Sequence, residues 1–294
     1  MKSTSAVVLA LAAVALGSSA LRAQEGCVPP HDSNEEKLFR ALAVPLAYGP
    51  LMAPQSPAAG SVTLALEATY LPTIDAETRT PTYCRASKGP ENVNQLSVLP
   101  RPRVRVGLPS GFAVEASWIP PVTIKDVKSN LFGFSVERTV PFKGPGMALR
   151  LRAHGTFGIV HSSVTCPEEA LSDPESTCFG GTESDDTYKP NMFGADISVG
   201  FPLIGEALKI YGGLGPTWMR PRFQVGFTNA QGQLDDTKVE TNLTRFAFFG
   251  GATWHLGSRF SASGEVYAQA SDDVTGRVAL AYTLRSGGVT YPAP

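Results

Sequence analysis

The stretch that decides the fold covers residues 62–70 and reads VTLALEATY. Its even-numbered positions are apolar or aromatic, whereas its odd-numbered positions are small or polar and include Glu67. Side chains of a β-strand point to opposite sides with a period of two. The alternation therefore predicts a strand with one apolar face and one largely polar face.

The same pattern recurs along the chain in ten windows, most of them about ten residues long, the length at which a tilted strand crosses a bilayer. The windows cover residues 62–70, 101–108, 112–118, 132–137, 147–159, 193–201, 208–227, 238–256, 260–269 and 277–284. The seventh and eighth change face midway and are long enough to project beyond a bilayer. Because proline lacks an N–H group, Pro100 and Pro102 predict that the hydrogen-bond ladder of the second strand begins near Arg103.

The connections between the windows alternate between longer and shorter segments. The longer ones fall at 71–97, 119–130, 161–190, 228–237 and 270–273, and the shorter ones at 109–111, 141–146, 202–206 and 255–258. Outer-membrane barrels have short periplasmic turns and longer outer loops. An even strand number would place both chain ends on the periplasmic side. A secreted soluble β-barrel that binds a small ligand is the alternative, since its strands alternate in the same way.

The stretch 60–284 resembles the small outer-membrane β-barrel proteins, the broad group that includes the outer-membrane protein A and W families. The resemblance is architectural. It implies an all-β, antiparallel transmembrane barrel of about ten strands, monomeric, embedded in outer-membrane lipid and inserted by the barrel-assembly machinery. Val278, Leu280, Tyr282 and Leu284 look similar to the aromatic-containing last strand that this machinery reads, although a tail over residues 285–294 follows.

Residues 1–23 predict a cleaved signal peptide and hence export to the bacterial outer membrane. Lys2 precedes an apolar run over residues 6–17, and small residues lead to the cleavage point before Gln24. The run is shorter than the roughly twenty residues of a membrane-spanning helix. The chain has 25 basic and 26 acidic residues. This balance indicates no nucleic-acid partner.

Residues 24–59 form a separate predicted segment with one short amphipathic helix. The sequence Ser33-Asn34-Glu35-Glu36 resembles a capping box, an apolar face follows over residues 38–42, and Pro45 ends the run. The helix either lies on the periplasmic mouth of the barrel or plugs the lumen.

Four cysteines in an exported chain favour disulfide bonds. Cys166 and Cys178 are twelve positions apart in one polar stretch and are natural partners, which leaves Cys27 for Cys84, although three pairings are possible. Cys84 falls in the first outer loop, whereas Cys27 would start in the periplasm. A bond between Cys27 and Cys84 would therefore require the N-terminal segment to thread the barrel.

If the apolar faces meet lipid, the opposite faces line the lumen, and they carry charges of both signs. These residues are Glu67, Arg101, Arg103, Arg105, Glu115, Glu137, Arg150, Arg152, Asp196, Glu265 and Arg277. The interior of an eight-stranded barrel is nearly filled by side chains, and ten strands add little room. We therefore expect the charges to pair and close the bore. A narrow path along the arginines that attracts anions is the alternative.

The sequence carries no motif of a known hydrolase or zinc site, so we expect no enzyme, cofactor or metal. A nucleophile elbow and a zinc-binding histidine pair are both lacking, and the four histidines are scattered. A barrel enzyme would have to use His154 or His161 with a partner assembled by the fold. The expected function is a structural, adhesive or narrow-channel role in the outer membrane, with the substrate unknown.

Overall fold

The computed structural model describes residues 26–142, 144–270 and 274–284. The predicted signal peptide and the tail over 285–294 lie outside the described residues. Ten long strands dominate: β1 Val62–Tyr70, β2 Val98–Gly107, β3 Phe112–Ile119, β4 Val127–Pro141, β5 Ala148–Ser162, β6 Met192–Ile204, β7 Leu208–Met219, β8 Leu243–His255, β9 Phe260–Gln269 and β10 Val274–Thr283. The helices are α1 Asn34–Leu46 and α2 Ala76–Arg79, with single 3-10 turns at Pro109–Gly111 and Glu168–Leu171.

Hydrogen bonds close the ten strands into a barrel. Each long strand pairs antiparallel with its neighbours in the chain. The last strand then returns to the first, with β10 paired to β1 from Thr63 opposite Thr283 to Thr69 opposite Arg277. Closure gives each of the ten long strands a partner on both sides within the described residues, which is the requirement for a sheet inside a bilayer. The predicted all-β barrel of ten strands with a short N-terminal helix is confirmed.

The two longest windows each divide where the pattern changes face, and in the seventh Pro221 also interrupts the strand. The seventh gives β7 and the short strands Arg222–Gln224 and Phe227–Thr228, and the eighth gives the short strand Lys238–Glu240 and β8. Further short strands lie at Thr123–Ile124, Asp186–Lys189 and Leu234–Asp235. Three of the short strands extend the barrel wall at its long-loop end, where Tyr188 pairs with Val160 and Phe223 pairs with Tyr188 and Val239.

The prolines of β2 affect only one of its two edges. The ladder with β1 includes both Pro100 and Pro102 and reaches Val98, so the predicted start near Arg103 is wrong for this edge. The ladder with β3 does begin at Arg103, opposite Ser117. Successive N–H groups of a strand point to alternate neighbours, so two prolines two positions apart remove donors from the same edge.

The exterior of the barrel is apolar between two belts of aromatic residues. Leu66, Val278 and Leu280 are exposed by 59%, 62% and 66% of their surface. Aromatic side chains stand at the long-loop ends (Tyr70, Trp118 and Trp218) and at the short-turn ends (Phe112, Trp254, Phe260 and Tyr282). Aromatic girdles around an apolar band are typical of barrels that face lipid. Within the described residues, neither α-helix has the length and apolar character of a membrane-spanning helix.

The N-terminal segment runs down through the lumen from the long-loop end. The backbone of Cys27 bonds to Lys238 and Glu240 among the outer strands. Farther along, the carbonyl of Leu46 accepts a hydrogen bond from Arg101 and that of Gln55 from Arg105. The descent ends at the short-turn end, where Gly60 bonds to Gly107 and leads into β1.

This path corrects one expectation from the sequence. The N-terminal end of the described chain lies at the long-loop end of the barrel and not at the short-turn end, where the parity of the strands placed it. As predicted from the even strand number, β1 begins at the short-turn end of the barrel. The segment before β1, however, descends to that point through the lumen. The helix in this segment begins at Asn34, after the N-cap Ser33, whose side chain accepts a hydrogen bond from the N–H of Glu36, and it continues one residue past Pro45.

The apolar exterior predicts a cost for charge that depends on depth. Leu66→Arg, at the middle of β1, should destabilise the barrel by about 2–4 kcal/mol, because the guanidinium would lie near the bilayer midplane. Leu203→Arg, beside the turn at 205–207, is the control and should cost about 0–1 kcal/mol. Denaturant unfolding in lipid vesicles measures both costs. Equal costs would contradict a lipid-facing exterior.

The descent of the N-terminal segment predicts which residues face each side of the membrane. Lys37 is exposed at the outer mouth and Ala59 is exposed at the opposite mouth. In intact cells, a membrane-impermeant maleimide should label Lys37→Cys, whereas Ala59→Cys should react only after the outer membrane is permeabilised. Labelling of Ala59→Cys but not of Lys37→Cys in intact cells would contradict the orientation.

Candidate functional site

Two disulfides brace the outer end of the barrel. Cys27 is bonded to Cys84 and Cys166 to Cys178, with sequence separations of 57 and 12 residues. The first bond joins the start of the N-terminal segment to the loop between β1 and β2. In the loop-entropy description a closed loop of this length is worth about 4 kcal/mol. A bond between Cys27 and Cys84 requires the N-terminal segment to pass through the lumen, which was one of the two placements left open by the sequence.

Glu35, in the first turn of α1, holds the same loop. Its carboxylate accepts hydrogen bonds from the backbone N–H groups of Thr82, Tyr83 and Cys84 at 3.1, 2.7 and 2.8 Å. Burial by itself raises the pKa of Glu35, but these N–H groups outweigh it, and the pKa lies below the usual glutamate value. The carboxylate therefore clamps α1 to the loop in its charged form.

Arg103 occupies the centre of the lumen and contacts both the wall and the N-terminal segment. Its guanidinium forms ion pairs with Glu67 and Glu115 on the neighbouring strands β1 and β3. It also donates to the carbonyl of Gly49 at 2.9 Å and lies over the ring of Tyr48, 4.3 Å from the ring centre. The Tyr48 hydroxyl donates to Glu115 at 2.8 Å. One guanidinium thus joins two wall strands to the segment inside them.

The same arrangement repeats toward the short-turn end. Arg105 is paired with Glu137, and the other carboxylate oxygen of Glu137 lies 3.7 Å from Arg150. Arg105 donates to the carbonyl of Gln55 at 3.5 Å, and Arg150 donates to the carbonyl of Met52 at 2.9 Å. These arginines therefore hold the lower part of the segment to β2 and β5.

Two further ion pairs lie elsewhere around the wall. Arg152 donates to Asp196, directly opposite in the register of β5 and β6, at 2.6 and 2.9 Å. Arg277 donates to Glu265 at 3.0 Å and to the carbonyl of Ala47 at 2.8 Å. The segment is consequently held from several sides of the barrel.

The C-terminal end of α1 depends on the wall for its hydrogen bonds. The last carbonyl groups of a helix have no partner within the helix and carry partial negative charge, and the last turn of α1 has no basic residue. Arg277 donates to the carbonyl of Val44 at 3.3 Å, and Arg101 and Thr156 donate to that of Leu46 at 3.3 and 3.0 Å. Barrel side chains thus perform the capping.

The structure brings all of the charged residues assigned to the lumen together inside the barrel. Ten of the eleven are buried, and Arg105 is half-buried near the mouth. The sequence did not indicate that the carbonyl groups of the N-terminal segment would be their third partner. It also missed Tyr48, which follows no periodic pattern, and Tyr211, whose hydroxyl donates to Glu265 at 3.1 Å. Tyr211 lies in the window whose facing was unclear.

The two histidines considered for catalysis have structural contacts. The ring of His154 is buried in the lumen, with Nε2 3.4 Å from the Asp196 carboxylate, which Arg152 already holds. His161 is paired with Asp185 at 3.0 Å on the outer surface. Neither contact presents a nucleophile to a substrate.

Comparisons with known proteins concern the fold. No protein-family model and no curated protein matches the chain. The solved N-terminal barrel of Pseudomonas aeruginosa OprF matches with 9% identity and a TM-score of 0.32, over 77% of this chain and 99% of that one. Yersinia pestis Ail, the attachment invasion locus protein, matches with 13% identity and a TM-score of 0.30, over 77% and 99%. Acinetobacter baumannii Omp33 matches with 8% identity and a TM-score of 0.25, over 78% and 99%.

The chain has the fold of an outer-membrane β-barrel protein. The hydrogen bonds between the strands establish the closed strand order without reference to other proteins. The predicted architectural resemblance is confirmed. At these identities the similarity says nothing about what the barrel binds.

The Glu35 clamp predicts an acid-sensitive contact at the outer end. A carboxyl group with a lower pKa in the folded state stabilises above its unfolded pKa of about 4.3, and this contribution is lost as the pH falls through the folded pKa. Amide exchange at Tyr83 and Cys84, corrected for the intrinsic rate at each pH, should lose protection below about pH 4. Glu35→Gln should lower protection already at neutral pH, whereas Glu77→Gln on the exposed helix α2 should not. Unchanged protection in Glu35→Gln would contradict the clamp.

Proposed function

We propose that this protein is a plugged outer-membrane barrel that does not conduct ions and whose role is structural or adhesive. One observation carries the proposal: arginines that pair with carboxylates on the wall also donate to carbonyl groups of the segment that descends through the lumen. The plug is defined as residues 24–59, the barrel as 60–284 and the tail as 285–294.

The contacts around Arg103 support a closed bore. An ion passing this level would have to displace the Tyr48 ring and separate Arg103 from Glu67 and Glu115, all of which are buried. Separating the partners of a buried ion pair costs several kcal/mol, because the remaining charge has no water to solvate it. The closed state is therefore favoured over the narrow anion path that the arginine spacing alone would allow.

The outer surface supports the adhesive part of the proposal. The disulfides and the short strands beyond the membrane hold the loops in a fixed shape, and several large apolar side chains are exposed there. Val28, Tyr83, Phe179 and Leu234 are exposed by 62%, 58%, 51% and 66%. Side chains that are already held in place lose less conformational entropy when another molecule binds to them.

The proposal includes the route to the membrane. Residues 1–23 act as a cleaved signal peptide, and the barrel-assembly machinery inserts the chain. Outer-membrane lipid then contacts the band between the aromatic belts. A closed barrel has no strand edge to share with a second copy, which supports a monomer.

Conductance in planar lipid bilayers tests the closed bore. The purified full chain should give no stable current steps, because side chains and plug fill the lumen together. The triple variant Tyr48→Ala, Arg103→Ala, Glu115→Ala should give discrete steps, since it removes the side chains that fill one level of the bore. Stable channels from the unmodified protein would overturn the proposal.

Two controls make the comparison sharp. Replacing the outer residues Tyr83, Phe179 and Leu234 by alanine removes as many large side chains without touching the lumen, and this variant should remain silent. A barrel lacking residues 26–56 should conduct more than the triple variant. If both lumen variants fold and remain silent, the plug does not determine closure and the proposal is wrong.

A further inference from the structure

An apolar cavity lies between α1 and the outer loops, separate from the charged lumen. Its volume is about 160 Å³. Its walls include Phe39, Leu42, Leu71, Ile74, Val93 and Tyr188. An apolar cavity of about 150 Å³ lined by Leu, Ile and Phe remains dry and binds benzene. The cavity is therefore of the size that accepts a molecule with one six-membered ring.

The hydroxyl group of Tyr188 is a neutral polar group of the wall without a partner in the described part of the chain. The side chain of Tyr188 is 8% exposed, and among the described residues its hydroxyl makes no hydrogen bond. The ring stacks on Phe39 with centres 6.1 Å apart, which holds the hydroxyl in place. Burial raises the pKa of Tyr188, so the hydroxyl keeps its proton and remains a donor. A buried donor without an acceptor costs free energy that a ligand could recover.

The charged residues around the cavity are already occupied by protein partners. Glu35 accepts three backbone N–H groups of the loop, and Asp186 accepts from the N–H groups of Thr165 and Gly226. Glu91 is paired with Arg85 through Oε1, whereas its Oε2 and Nη2 of Arg85 have no hydrogen bond among the described residues. Because each of these charges already faces a protein partner, a charged ligand would gain little from them, and a neutral ligand fits better than an ionic one.

The cavity walls are held open by contacts within the loop between β1 and β2. Ile74 and Asn94 exchange two hydrogen bonds at 3.0 and 2.8 Å, and Arg79 donates to the carbonyl groups of Ile74 and Glu91. The disulfide of Cys84 and the Glu35 clamp join this loop to α1. A site that is already formed loses less conformational entropy when a ligand enters.

We propose that this cavity is a binding site for a neutral one-ring aromatic molecule that carries a hydroxyl or carbonyl oxygen. The ring fills the apolar space beside Phe39, and the oxygen accepts the hydrogen bond from Tyr188. The site lies at the outer face of the barrel and does not depend on whether the lumen conducts.

Fluorine NMR of the full chain in lipid nanodiscs tests the proposal, with 4-fluorophenol and fluorobenzene as probes and empty nanodiscs as the blank. Both probes should bind saturably. Val93→Phe should abolish binding because the new ring occupies the cavity, whereas Val93→Ala should retain it. Leu66→Phe, which adds a ring to the lipid face, is the matched control and should bind as the unmodified chain does.

Tyr188→Phe separates the hydrogen bond from the apolar space. Loss of one neutral hydrogen bond should weaken 4-fluorophenol binding about fivefold and leave fluorobenzene unchanged. Three results would overturn the proposal: no saturable binding above the nanodisc blank, binding that survives Val93→Phe, or an equal effect of Tyr188→Phe on both probes. Each variant is first checked for a folded barrel by its resistance to unfolding in detergent on gels.

Discussion

The structure depends on arginine side chains that each satisfy two kinds of acceptor. A guanidinium has five N–H donors in one plane, so a single arginine can hold a carboxylate and a backbone carbonyl together. Arg103 and Arg277 do so with Glu115 and Gly49, and with Glu265 and Ala47, respectively. Charges buried inside a barrel are stable only when they are paired and hydrogen-bonded. The wall therefore needs the plug for its remaining donors, and the plug needs the wall for its unpaired carbonyl groups.

At the outer end of the barrel, beyond the membrane, the N-terminal segment and the wall are also held together. There the contacts are a disulfide and a carboxylate that accepts backbone N–H groups, and they act on the loop that follows β1. Because α1 and this loop are held at a fixed separation, space remains between them. The apolar cavity and its unpaired Tyr188 hydroxyl follow from the bracing, since a loop free to move would collapse onto the helix and fill the space.

The barrel could be predicted from the sequence because a strand with one apolar and one polar face has apolar residues at every second position. Glu67, Arg101 and Arg103 fall on one face through their spacing alone, and their burial follows once the opposite face meets lipid. The plug has no such pattern. Its partners are carbonyl groups, which every residue has, so nothing distinguishes Gly49 or Met52 in the sequence. The edges of β2 show the same limit: Pro100 and Pro102 predict a missing ladder, but only the three-dimensional pairing shows on which side it is missing.

The covalent bond between Cys27 and Cys84 has a mechanical consequence. The bond closes a ring that contains the plug, β1 and the loop after β1, and this ring runs down the lumen and back up the wall. If a molecule attached to the outer end of the chain before Cys27 were pulled, the force would pass from Cys27 through the disulfide into the loop and the strand ends that carry it. Residues 28–59 leave the same cysteine, so the load divides between them and the disulfide. The bond therefore takes up part of any tension at the outer surface that the plug would otherwise carry alone.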